Sequence, residues 1–220
     1  IPQMNTAKLI HDTILFVKQT LADAGGGHDW FHIERVYKNA LLIAKSESCD
    51  TLVVQLGALL HDIADSKFHG GDETIGPRTA RNFLESQHVA EEVIVHVVQI
   101  IENISFKGGK TKRKFSSIEL DIVQDADRLD AIGAIGIARA FNYGGFKNRA
   151  LYNPKVAPNL KMTKEEYKNS QAPTINHFYE KLLLLADKMN TKTGAAIAIK
   201  RHRYMENFLS QFYAEWEGEI

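Results

Sequence analysis

Cysteine is all but absent. Cys49 is the only one in 220 residues, which excludes an intrachain disulfide and any Cys-rich zinc cluster. Long hydrophobic runs are missing too: stretches such as 131–138 fall far short of the roughly 18 residues a membrane span needs. No N-terminal apolar segment with a small-residue cleavage site is present. Net charge is lacking as well, because 27 Lys and Arg balance 27 Asp and Glu. No global field therefore draws the chain onto nucleic acid or anionic lipid, and charge-driven binding must be local. These absences predict a soluble, cytoplasmic protein with no membrane attachment and no specific nucleic-acid binding. Ile1-Pro2-Gln3 precede Met4 and are expected to be a remnant of expression.

What is present is enough for a core. Hydrophobic residues make up 44% and charged residues 25% of the chain, which suits one sizeable folded domain, expected over residues 4–220. Strand-like alternation, internal repeats and low-complexity segments are scarce or missing, and helical periodicity dominates. Leu9, Ile14, Val17 and Leu21 mark a first helix ending at Gly25-Gly26-Gly27. Asp29 caps a second whose buried stripe is Ile33, Val36, Ala40 and Ile43. Asp50 caps a third, from Thr51 to about Ala64, which is apolar nearly all round and so should be central. Further helices are expected at about 73–86, 90–104 and 119–143, with a basic loop, 107–114, between the last two. The β-branched stretch 93–101 reads as helix by its length and i, i+4 spacing. Residues 144–173 hold Pro154, Pro158 and Pro173 and form a long irregular loop with a short helix near 163–168. Two closing helices, 174–189 and 193–216, complete an all-α bundle with its core in 27–143.

Chemistry is expected where polar groups interrupt greasy helices. Of three His-Asp dipeptides, His11-Asp12, His28-Asp29 and His61-Asp62, only the last is embedded in an apolar helix. Burying such groups unpaired costs several kcal/mol, so something must satisfy them. On a continuous helix Asp65 lies one turn beyond both, and all three can face one point. Imidazole and carboxylate converging there are metal ligands of intermediate hardness; a His61–Asp65 pair with Asp62 solvated is the plainer alternative. The second helix offers His32 with Arg35 on the same face, and the helix after the basic loop offers Asp125, Asp127, Arg128 and Asp130 inside an apolar stripe. His32, His61-Asp62 and Asp127 form a two-His, two-carboxylate set from three helices, as a site inside a bundle would.

This order resembles the HD-domain metal-dependent phosphohydrolases, whose pattern is H, then HD, then a distant D. The resemblance runs from Gly27-His28-Asp29-Trp30-Phe31-His32 to Trp216, through Leu59-Leu60-His61-Asp62-Ile63-Ala64-Asp65-Ser66-Lys67-Phe68, Asn103-Ile104-Ser105-Phe106, the stretch from Asp125 to Gly136, and Asn176-His177-Phe178-Tyr179-Glu180-Lys181-Leu182. It is similar to the bacterial soluble branch that contains nucleoside triphosphate pyrophosphohydrolases. The resemblance implies His32, His61, Asp62 and Asp127 as metal ligands, with His28 the rival to His32. It also implies a nucleotide substrate and homodimerisation.

A divalent cation neutralises phosphoryl oxygens and lowers the pKa of water. A ligand set without thiolate favours Mn, Mg, Co or Fe over Zn. Asp65 is read as orienting or deprotonating the attacking water, and Lys67 and Arg35 as phosphate contacts or supports. His69, His88 and His96 lie where some family phosphodiesterases carry histidines for a second metal; of these only His96 has a buried setting. Tyr143, Phe146, Lys147, Arg149 and Tyr152 from the loop, with His177 and Tyr179 from the next helix, set aromatic rings beside cations. Tyr143, Lys147, His177, Tyr179 and Lys67 are the candidates to hold substrate. The expected activity is cleavage of a nucleoside triphosphate to monophosphate and pyrophosphate. The alternatives are a phosphodiesterase or phosphatase of nucleotides and a non-catalytic binding module.

Overall fold

The computed structural model describes residues 5–22, 29–64, 72–104 and 115–220. Among them every regular element is helical. Ten α-helices follow in order: α1 Thr6–Thr20, α2 Trp30–Ala44, α3 Thr51–Leu60, α4 Ile75–Ser86, α5 Glu91–Asn103, α6 Ile118–Asp130, α7 Gly133–Phe146, α8 Lys164–Asn169, α9 Thr174–Glu180 and α10 Lys192–Glu217. Short 3-10 turns lie at Leu182–Leu184 and Ala186–Lys188. None of these helices is long and apolar enough to cross a membrane. The chain divides into two compact units, Ile1–Asp127 and Arg128–Ile220.

In the first unit α3 is the centre. Val53, Val54, Leu56, Ala58, Leu59 and Leu60 are buried on all its sides, as an element without a polar stripe must be. It packs against α1, α2 and α5. Gly57 lets the neighbours come close, since a Cβ there would lie 3.3 Å from Ile100 and 3.4 Å from Val123. Asp50 caps it, accepting the main-chain N–H groups of Leu52 and Val53 at 2.9 and 3.2 Å, and Asp50's own N–H donates to Glu119 Oε1 at 2.8 Å. The helix ends four residues earlier than its periodicity suggests. Ile63 N–H bonds back to the Leu60 carbonyl at 3.2 Å, tightening the last turn and satisfying a carbonyl the α-pattern leaves open. His61 and Asp62 therefore sit in a terminal turn rather than on a helix face.

In the second unit α7, α9 and α10 pack together. Phe178 is fully buried, stacked on Phe208 at 5.9 Å and tilted against Phe141 at 6.0 Å. The single helix expected over 119–143 is two helices. Gly133 has φ +76, a left-handed conformation, and a Cβ on it would press within 3.0 Å of Arg201; such a residue ends a helix and admits glycine best. α7 then runs on to Phe146, a turn past the expected start of the long loop. The helix expected over 174–189 is α9 followed by the two 3-10 turns.

Candidate metal centre

His32 stands in the first turn of α2. The Asp29 cap fixes that turn, its carboxylate accepting the His32 main-chain N–H at 3.0 Å, and the His32 side chain is 3% exposed. His61 is the C-cap of α3. Its Nδ1 lies 2.8 Å from the Ala58 carbonyl. A carbonyl only accepts, so Nδ1 carries the proton and Nε2 keeps its lone pair. That Nε2 is buried and has no hydrogen-bond partner. Asp127 comes from α6, where Asn39 Nδ2 of α2 reaches the preceding carbonyl, Ala126, at 3.5 Å.

These three side chains converge. The Asp127 carboxylate lies 3.5 Å from His32 Nε2 and 3.8 Å from His61 Nε2, and the two imidazoles meet edge to face with centroids 5.4 Å apart. One ligand atom from each falls within 4.8 Å of the others. Nitrogen and carboxylate ligands about 2.1 Å from a shared ion stand roughly 3 to 4 Å from one another, so the spacing fits a cation. The residues also fit chemically, because a buried imidazole nitrogen with a free lone pair is costly unless something accepts it. Both histidines are buried while the Asp127 side chain is 40% exposed, which leaves the site open on the carboxylate side.

The structure sorts Asp125, Asp127 and Asp130, the last three carboxylates of α6. Asp125 is fully buried. Asp130, 1% exposed, is paired with Arg139 at 2.8 Å, which makes it structural. Only Asp127 faces the histidines. Asp62 lies half-buried in the turn beside His61 and is not among the three clustered residues. Arg35 is half-buried one turn along α2 from His32. Arg128 points elsewhere, donating to the Lys188 carbonyl. Asp65, Lys67, His28, His69 and the loop 107–114 lie outside the described residues.

The other candidates fall in separate places. His96 is engaged by Ser117 Oγ at 2.9 Å and Glu119 at 3.4 Å, away from the metal group. His88 follows α4 with φ 55. Tyr143 and Lys147 are exposed at the end of α7, with Lys147 Nζ 5.8 Å from the Tyr143 ring centroid. Tyr179 hydrogen-bonds Tyr213 at 2.9 Å, and both line a cavity of about 340 Å³ with Tyr152 and Asn176. Burial first, then the Tyr179 hydroxyl, pushes the Tyr213 phenol up. His177 lies on another face of α9; burial, then the charges of Lys181 and Arg149, lowers its pKa to about 4. Lys181, which caps α9 with its N–H on the His177 carbonyl at 3.0 Å, was not singled out from sequence as a neighbour of His177, although its i+4 spacing was the available signal.

Comparison with known proteins agrees with this geometry. The family model described as HD domain matches residues 30–132, a span that includes His32, His61, Asp62 and Asp127. The chain is 36% identical over 211 residues to the YpgQ protein of Bacillus subtilis, covering 92% of this chain and 91% of that one. A crystal structure of an HD-superfamily hydrolase from Bacillus thuringiensis matches with TM-score 0.79 and 43% identity, covering 97% of this chain and 100% of that one. The structure of B. subtilis YpgQ in complex with ADP matches with TM-score 0.76 and 34% identity, covering 96% and 97%.

Proposed function

We propose, from the premise that this chain belongs to the HD-domain family of metal-dependent phosphohydrolases, that its substrate is a nucleoside triphosphate, cleaved to monophosphate and pyrophosphate. The observation that carries the hydrolytic part is the buried, unpartnered His61 Nε2 facing the Asp127 carboxylate and His32. The nucleotide part is supported by the relative whose structure contains ADP.

In this reading His32, His61 and Asp127 hold a divalent ion, and Asp62 adds the fourth ligand from the turn it shares with His61. Such an ion supplies charge neutralisation at the phosphoryl oxygens and lowers the pKa of water, and the ligand set suits Mn, Mg, Co or Fe. The chain's own part is positional. The Ala58 carbonyl holds His61 in one tautomer, and the Asp29 cap and the Ala126 carbonyl place the other two ligands. That holds the site in shape before substrate arrives. Asp65 is assigned to take the proton of the attacking water, and Lys67 and Arg35 to bear on the phosphates.

The test is a panel of nucleotides with Mn, Co or Mg supplied, scored by product. Pyrophosphate release is the expected result. Orthophosphate release would make the enzyme a phosphatase, and no release from any nucleotide would remove the substrate assignment.

A further inference from the structure

The second unit holds a cavity that the metal group does not use. It measures about 340 Å³, and its walls include Tyr152, Tyr179 and Tyr213 with Ile175, Pro154 and Pro158. No charged residue lines it. That volume lies at the small end of ligand pockets, which suits a compact ring compound.

The walls are set before any ligand arrives. Tyr152 stands edge to face against Tyr213, Phe212 and Trp216 of α10, with centroids 5.4, 6.0 and 5.1 Å away, the arrangement aromatic pairs prefer. The loop wall is fixed along its length. Asn153 Oδ1 accepts the Lys155 N–H at 3.0 Å, and Val156 N–H donates to the Asn153 carbonyl at 3.0 Å. From α9, Asn176 Nδ2 donates to the Val156 carbonyl at 3.0 Å and Glu180 accepts the Asn159 N–H at 3.0 Å. Pro154 and Pro158 restrict the backbone further. Such preorganisation lowers the entropy lost on binding.

The polar groups on this cavity are few and directed. The Tyr179 and Tyr213 hydroxyls lie 2.9 Å apart. One phenol donates to the other, so the pair keeps one O–H proton to give, and among the described residues neither hydroxyl has a further partner. Asn176 is 1% exposed. With Nδ2 spent on Val156, its Oδ1 accepts from no described residue. A spare hydroxyl proton and a spare amide oxygen beside aromatic walls match a flat ring whose edge carries both acceptors and donors. A lining without charge offers nothing to a phosphate or carboxylate, which would lose its hydration there.

We propose that this cavity binds a nucleobase, its ring against the aromatic wall and its edge toward the Tyr179–Tyr213 pair and Asn176. The site stands on the second unit alone and goes beyond the hydrolase reading without depending on it.

Calorimetric titration of adenosine, guanosine, cytidine and uridine into the full chain, with EDTA present so that no metal ion takes part, tests this. Saturable one-site binding of at least one nucleoside is expected. Ala157→Trp, at an exposed position of the loop wall, should fill the cavity and abolish binding. Tyr179→Phe combined with Tyr213→Phe keeps both rings and removes both hydroxyls; with folding checked by its melting temperature, it should weaken binding by about tenfold. His61→Ala should bind as wild type does. Competition identifies the source: displacement of the nucleoside by ADP assigns the cavity to the base of a nucleotide, and failure of ADP to displace it assigns the cavity to the free nucleoside. Absence of saturable binding by all four nucleosides would overturn the proposal. So would unchanged binding in both Ala157→Trp and the double Tyr→Phe variant.

Discussion

One imidazole carries the argument at the residue scale. His61 spends Nδ1 on the Ala58 carbonyl, so a metal is the use left for a buried Nε2 beside a carboxylate. Losing a residue that merely orients a ligand costs about 10- to 100-fold. His61→Ala and Asp127→Ala should therefore each lower hydrolysis by more than about 100-fold and leave the purified protein without metal. Asp130→Ala, three residues from Asp127, should behave in the opposite way. Its partner Arg139, half-buried, loses its counter-charge but keeps some access to water, at a cost of about 1 to 3 kcal/mol in urea unfolding, while metal analysis finds the ion retained. Metal loss in Asp130→Ala with retention in Asp127→Ala would reverse the assignment. The sequence offered Asp125, Asp127 and Asp130 without ranking them by partner, because the residue that neutralises Asp130 lies on a different helix.

His177 gives a pH dependence at the same scale. The imidazole titrates at about 4 in the folded chain and near 6.5 when unfolded. Between these values the unfolded chain holds a proton that the native chain does not. Stability from this group is complete above about pH 6.5 and is lost as pH falls toward 4, at up to about 1.4 kcal/mol per pH unit. Urea unfolding of wild type and His177→Gln from pH 4 to 7, in buffer free of phosphate, should show the steeper slope in wild type. Parallel curves would mean that the ring is protonated in the native state.

At the scale of elements, sequence and structure agree best where one stripe decides. The caps at Asp29 and Asp50, the all-round apolar α3 and the β-branched α5 follow from local periodicity and side-chain oxygen placement. They differ where a backbone dihedral decides. The apolar positions from Ile122 through Ile135 continue a helical pattern, and nothing in that pattern marks the break between α6 and α7, which depends on the left-handed Gly133 beside Arg201. Likewise the pattern through Ile63 hides the tightened end of α3, which places the His-Asp dipeptide in a turn. Gly133→Ala should cost about 1 to 2 kcal/mol from the backbone conformation alone, with more from crowding against Arg201. Chemical denaturation measures it, and a neutral effect would show that this connection relaxes freely.

At the scale of the molecule, the candidate metal ligands were legible as a set because a rare pattern, histidines and carboxylates inside apolar helices, recurs in three separated segments. Their convergence was not, since it depends on how α2, α3 and α6 pack. That convergence has a thermodynamic consequence. His32, His61 and Asp127 are brought together only when the first unit is folded, so an ion held by them would bind the native state far better than the unfolded chain and would stabilise the fold by linkage. At free metal 100 times its dissociation constant the gain is about 2.7 kcal/mol. Melting with Mn supplied should therefore occur at a higher temperature than with EDTA, by an amount that grows with Mn concentration. His61→Ala removes the unpartnered nitrogen and should melt at the same temperature in both conditions. An Mn-dependent rise that survives in His61→Ala would place the stabilising ion at some other site, and with it the reason for assigning hydrolysis to these three residues would be lost.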